Sequence, residues 1–346
     1  MGRPNGRVTN ALLLVALSLA LLTGTGALAV GSAAGRWVVV SHGVLAVAVI
    51  LLLPWKSTVV RRGLRRRRPN RGASVVLAVV TVATIVTGLA YSAGLVREVG
   101  GVLGMWLHVA GALTLVPLLG WHVLARGAWL RPADRSRRTV LRGAFVLGAA
   151  GLTYGAAEAT TRLAGLPGAR RRFTGSYEQG SFRPSAMPNT IWLNDSTPRV
   201  DRAAWRLTVV DGGGRRELDL ATLTGHRTAP PATRPITRRA TLDCTSGWFA
   251  HQDWTGVPLA ELVTPRDGDR SVLIRSTTGY AVRLPLRDLR TALLATGVGG
   301  AELSPGHGFP ARLVAPGRRG FWWVKWVSHI EVSRAPWWWQ SPFPLA

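Results

Sequence analysis

Long apolar runs fill the first part of the chain and give way, near residue 160, to shorter alternating segments broken by turns. Five runs, near 9–33, 37–55, 74–95, 103–125 and 139–159, are long enough to cross roughly 30 Å of hydrocarbon at about 1.5 Å per residue. They predict an all-α transmembrane helix bundle of five spans. The first run leads straight into the second without a convincing cleavage site, so it reads as a helix rather than a removable leader. Beyond it, period-two alternation and turn residues predict strands over 205–210, 216–223, 238–243, 271–285 (a hairpin), 311–315 and 323–332. Helical patterns at 257–263 and 288–296 separate them. The division is therefore 1–160, helical, and 161–346, an α+β domain with room for its own core. No internal repeat is evident.

Charge refines this picture. The formal net charge of the 346 residues is +26, which on a soluble protein suggests a nucleic-acid surface. Here much of the excess lies in short segments between apolar runs. Lys56, Arg61, Arg62, Arg65, Arg66, Arg67, Arg68 and Arg71 follow the second run, and Arg126, Arg131, Arg135, Arg137, Arg138 and Arg142 follow the fourth. The opposite loops carry Arg36 and Arg97. A bias this one-sided orients spans in a bilayer and needs no polyanion, so no nucleic-acid partner is expected. It puts the N-terminus in the cytoplasm and, after five spans, the second domain outside, as in a multi-pass protein of a bacterial plasma membrane. Residues 136–142, S-R-R-T-V-L-R, resemble a twin-arginine export signal placed internally.

Histidines at membrane depth are costly unless they do something. His42 lies early in the second run, and His108 and His122 lie in the fourth. His42 and His108 fall at similar depth near the outer face, where a bis-histidine haem b would fit. The rival reading is hydrogen bonding across the bundle.

The only cysteine is Cys244, so no intramolecular disulfide can form. It sits in T-L-D-C-T-S-G-W-F-A-H-Q-D-W-T-G-V-P-L, residues 241–259, which reads as a strand, then a Gly/Trp loop, then a helix start near Pro258. A thiolate there suits a soft or redox-active metal, but one cysteine makes neither a zinc nor an iron–sulfur site alone. A second group would have to supply the other donors. The bland alternative is a packed, inert thiol. His251 and Asp253 either line a substrate mouth or belong to a solvated loop.

That loop, taken with G-H-G-F-P-A-R-L-V-A-P-G-R-R-G-F-W-W-V-K-W over 306–326, resembles the molybdopterin-binding domain of the sulfite oxidase family. Within it, residues from about 170 onward are similar to bacterial periplasmic protein-methionine-sulfoxide reductase catalytic subunits. The resemblance implies a molybdenum held by molybdopterin dithiolene sulfurs and by Cys244. It also implies cofactor contacts from Tyr177, Glu178, Ser276, His307 and Arg312, and a phosphate-holding run at Trp323, Val324 and Lys325. Two positions depart from the pattern: Thr174 and His307 stand where those reductases carry asparagine. The function so implied is oxygen-atom or two-electron transfer on a small oxyanion or sulfoxide-type molecule, with electrons exchanged with the membrane through haem, the quinone pool or another electron-transfer protein. A b-type haem carrier whose outer domain only docks a partner is the alternative.

Overall fold

The computed structural model describes residues 6–64, 71–126, 132, 136–191, 195–225 and 234–341. They form two compact units: Met1–Leu28 with Ala34–Gly175, and Ala29–Ala33 with Ser176–Ala346. The main division falls at Gly175/Ser176.

The first unit is helical. Each predicted span is a helix: α1 (Gly6–Ala29), α2 (Arg36–Leu64), α3 (Arg71–Ser92), α4 (Gly104–Arg126) and α5 (Arg137–Leu163). All five are long and apolar enough to cross a membrane. A small hairpin, β1 (Glu98–Val99) and β2 (Val102–Leu103), joins α3 to α4 through Gly100 and Gly101, both at positive φ, as a tight two-residue hairpin turn requires. Helix α2 packs on α5 and α3 on α4. Gly43 makes the first contact possible, because a Cβ there would sit 2.4 Å from the Tyr154 ring. Arg65, Arg66, Arg67, Arg68, Arg131 and Arg135 lie outside the described residues. Ser136 caps α5, its hydroxyl accepting from Thr139 N at 3.3 Å, so the S-R-R-T stretch is a helix start.

The second unit is built on two sheets. The five-stranded sheet has the order β5 (Gly214–Leu218), β4 (Leu207–Asp211), β13 (Val327–Ser333), β8 (Ser271–Ser276), β9 (Ala281–Pro285). Its β13–β4 pair is parallel and the rest are antiparallel. The second sheet centres on β7 (Trp248–Pro258), flanked by β6 (Ile236–Asp243), β10 (Leu293–Val298) and the short parallel β3 (Tyr177–Glu178). Strands β11 (Ala301–Glu302) and β12 (Arg312–Val314) attach to β10. Leu207, Val209, Val257, Ile274, Leu293, Leu294 and Ile330 are among the apolar side chains that form its core.

Four sequence expectations change. Residues 248–258, expected to form a loop, are an eleven-residue strand whose Trp248, Ala250, Gln252 and Trp254 alternate inward. Residues 288–296, expected as a helix, are a single 3-10 turn (Leu286–Arg290) followed by β10, buried at every position. A short continuous apolar run such as L-L-A-T-G-V does not distinguish a buried strand from a helix. The strand expected over 216–223 stops at Leu218, where Asp219 caps the short α6 (Leu220–Leu223). The other predicted helix shrinks to α7 (Leu259–Leu262).

Candidate active site

Strand β6 delivers Cys244 to the tip of a hairpin. Cys244 N donates to Trp248 O at 2.8 Å and Gly247 N to Cys244 O at 3.1 Å, so Cys244–Gly247 form the tight turn into β7. Hairpin tips usually face water, yet Cys244, Thr245 and Ser246 are all buried. The covering segment is 317–323. A Cβ on Gly320 would sit 3.0 Å from Cys244 Cα, tighter than nearly all real Cβ contacts, so a larger residue there would push the backbone of the turn away. Next to it, Arg319 donates through Nη2 to Cys244 O at 2.8 Å and pairs through Nε with Asp243 at 3.5 Å, both side chains being 2% exposed. Ser176 Oγ donates to Asp243 Oδ1 at 2.7 Å. Ser246 Oγ lies 3.0 Å from Cys244 Sγ.

Two buried cations feel the charge of this sulfur. Arg312 is 2% exposed and lies against Trp254 and Trp323, with its guanidinium carbon 5.0 and 5.8 Å from the ring centroids. Nη1 donates to His307 O at 3.0 Å, and Nε has no hydrogen-bond partner among the described residues. Burial pushes the guanidinium down to about 10, against the opposing pull of Cys244, so it stays charged at neutral pH. Lys325 donates to Asn189 Oδ1, Thr190 O and Gly306 O at 2.7, 2.9 and 2.6 Å. Burial, then Arg312, brings its ammonium down to about 7. His307 is tied at both ring nitrogens, Nδ1 to Ser304 Oγ at 2.9 Å and Nε2 to Met187 O at 3.1 Å. Burial first, and Arg312 and Lys325 next, hold its imidazole below the ordinary value. On either side of it, Pro305 and Phe309 join residues 197–201 in lining an open groove of about 660 Å³, a size that suits a small organic ligand.

The remaining expected residues are distributed unevenly. Tyr177 is buried on β3 beside Trp248. Glu178 is exposed, and its carboxylate accepts from Ser181 N at 2.8 Å, which holds it below the usual range. Ser276 is buried and bonds to Thr278 Oγ1 at 2.9 Å, and Thr278 in turn donates to Asp195 at 3.1 Å. Trp323 and Val324 are core residues; Val324 O accepts from Leu313 N at 2.7 Å. His251 and Asp253 lie on the β7 face opposite Trp254, where Arg239 holds Asp253 in a two-pronged pair at 2.9 and 3.1 Å. Ser176, Asn189, Asp243, Ser246 and Arg319 were not singled out from the sequence. Asp243 and Arg319 sit inside the motifs and could have been found by asking what balances charge beside the cysteine. Asn189 lies in a segment with no periodicity and gave no signal.

Among the described residues no three His, Cys, Asp or Glu side chains converge as metal ligands. A metal on Cys244 must therefore take its other donors from a bound group, and the partnerless Arg312 Nε beside it asks for an anionic one. Residues 194–340 match the family model for the oxidoreductase molybdopterin binding domain. These residues form a molybdopterin-binding oxidoreductase domain. Among curated proteins, the uncharacterized oxidoreductase YuiH of Bacillus subtilis is 33% identical over 100 residues, covering 27% of this chain and 50% of that protein. The NADPH nitrate reductase of Mycosarcoma maydis is 56% identical over 41 residues, covering 12% of this chain and 4% of the enzyme. The chain thus spans at most half the length of these relatives. Among solved structures, the sulfane dehydrogenase SoxCD of Paracoccus pantotrophus aligns at 21% identity and TM-score 0.36, covering 40% of each chain. The donor set of the molybdopterin domain fits the cofactor: one soft thiolate for the metal, and the buried cations Arg312 and Lys325 for an anionic pterin.

Proposed function

We propose that the chain is a membrane-anchored molybdenum oxidoreductase of sulfite oxidase type, acting on a small oxyanion or sulfoxide-type substrate. The observation that carries this reading is the buried Cys244 together with the buried Arg312, whose Nε has no hydrogen-bond partner among the described residues. Cys244 would ligate the metal, and the main chain at Tyr177 and Glu178 together with Ser276, His307 and Arg312 would hold the pterin. Lys325, with the backbone at Trp323 and Val324, would hold its phosphate. When bound, such a cofactor supplies two-electron, oxygen-atom-transfer chemistry. The protein's own part is to fix the thiolate, neutralise the anion and keep water from the sulfur. The arginine bias between the apolar helices supports a cytoplasmic N-terminus and an extracytoplasmic molybdopterin domain, exported folded if residues 136–142 act as a twin-arginine signal. Electrons would be exchanged with the quinone pool or another electron-transfer protein through a haem b on His42 and His108. Metal analysis tests the central claim: near-stoichiometric molybdenum in the purified protein, lost in Cys244→Ser, is expected. Wild-type protein from a molybdenum-replete host that carries none would refute it.

A further inference from the structure

The helical unit contains one arrangement twice. On α2, His42 bonds through Nδ1 to Ala20 O of α1 at 2.9 Å, and its ring lies over Gly24, where a Cβ would come within 3.1 Å of Cε1. On α4, His108 bonds through Nδ1 to Thr84 O of α3 at 2.8 Å, and its ring lies over Gly88, where a Cβ would come within 2.7 Å of Nδ1. In both cases the accepting carbonyl stands one helical turn before the glycine. The residues agree with the geometry. Each first helix carries Thr-Gly (Thr23-Gly24, Thr87-Gly88), and each second helix carries its histidine and a tryptophan thirteen residues after it (Trp55, Trp121). A reading by hydrophobic runs misses this repeat, because the shared residues are few and the background of Ala, Leu and Val is uniform.

We infer that α1–α2 and α3–α4 are two copies of one unit, and that their equivalent histidines, His42 and His108, clasp a single iron porphyrin through Nε2. This rests on the electron-transfer part of the proposal above, not on its molybdenum part. A carbonyl that takes the Nδ1 proton leaves Nε2 as the lone-pair nitrogen, the usual way a ligating imidazole is fixed. Neither Nε2 has a hydrogen-bond partner among the described residues. The two rings are neighbours, with centroids 6.0 Å apart and planes nearly perpendicular at 78°. Two imidazoles trans on one metal, each with a bond of about 2 Å, hold their centroids roughly that far apart. A bare cation fits poorly, since no third ligand converges among the described residues and structural zinc takes about four. A porphyrin brings its own equatorial nitrogens and asks the protein for two axial ones.

The repeat also sets the number of sites. Fourteen residues beyond each histidine stand Lys56 in one copy and His122 in the other. Lys56 donates to Asn10 Oδ1 of α1 at 2.8 Å. The second level therefore lacks a histidine pair, and the bundle holds one porphyrin.

Full-length protein purified in detergent from a haem-replete host should carry one haem b per chain by pyridine haemochrome, with a six-coordinate low-spin spectrum. His42→Ala and His108→Ala should each lower haem content by at least about tenfold, while His122→Ala leaves it unchanged. Added imidazole should restore the low-spin spectrum to His108→Gly. Molybdenum measured on the same samples shows that the variants are folded. Wild type with molybdenum but no haem overturns this inference alone, whereas wild type with neither overturns the proposed function as well. Two haems per chain, or loss of haem on His122→Ala, would also overturn it.

Discussion

Replacing Arg312 by methionine separates stability from function. The charge is held where water cannot reach it, and burial brings its pKa down from the ordinary arginine value to about 10. At about 1.4 kcal/mol per tenfold, that burial costs the cofactor-free fold roughly 3 kcal/mol. Offsetting contacts are the two indole faces, together about 1–3 kcal/mol, and one hydrogen bond to His307 O, about 1 kcal/mol. Methionine keeps the apolar stem and discards the charge. The cofactor-free variant should therefore lie within about 1 kcal/mol of the wild type, where breaking an ordinary buried ion pair would lose about 3–5 kcal/mol. The same substitution should lower the fraction of protein carrying molybdopterin. The assay is denaturation of the detergent-solubilised chain from a cofactor-deficient host, followed by proteolysis within the molybdopterin domain. Pterin fluorescence of protein from a replete host supplies the second reading. A loss of more than about 2 kcal/mol with unchanged pterin content would refute the idea that Arg312 waits for an anion.

Three further outcomes follow from neighbouring contacts. Lys325 has its ammonium brought down to about 7 in the cofactor-free protein; anion binding restores the proton, so pterin affinity should be greatest below about pH 7 and fall by up to tenfold per pH unit above it. Reconstitution at a series of pH values checks this, and Lys325→Met should bind more weakly with a flat profile. Ser246 must donate to Cys244 whenever the sulfur is a thiolate, so Ser246→Ala should lower the potential of the bound metal by on the order of 50 mV in a redox titration followed by EPR. Asp243→Asn strands the buried Arg319 and should cost about 3–5 kcal/mol in the same denaturation assay, most of it recovered when Arg319→Met is added.

The architecture was legible where physics leaves a periodic trace. Bilayer-length apolar runs became α1 to α5, and alternation with a turn gave the β8–β9 hairpin. Strand β7 was not legible, because Gly256 and the aromatic residues around it look like a loop until β6 and β10 are placed on both sides. Strand β10 was lost for the opposite reason, being apolar at nearly every position. In the site, Cys244, Arg312 and Lys325 stood out as lone or motif residues. Their supports did not, because Asn189 and Ser176 reach them from distant segments, and no spacing within one segment encodes that meeting. Glu178 shows the converse limit: its motif position is apt, but its carboxylate serves a local turn.

The clasp over the thiol has a consequence for biogenesis. Arg319 and Gly320 shape the hairpin tip carrying Cys244, and Lys325 is held by Asn189 and Thr190. A ribosome that has just released the cysteine has not yet made the walls around it. Cofactor insertion must therefore be a late event, after residue 325 has emerged, and a chain stopped before that point should leave its thiol open to alkylating reagents.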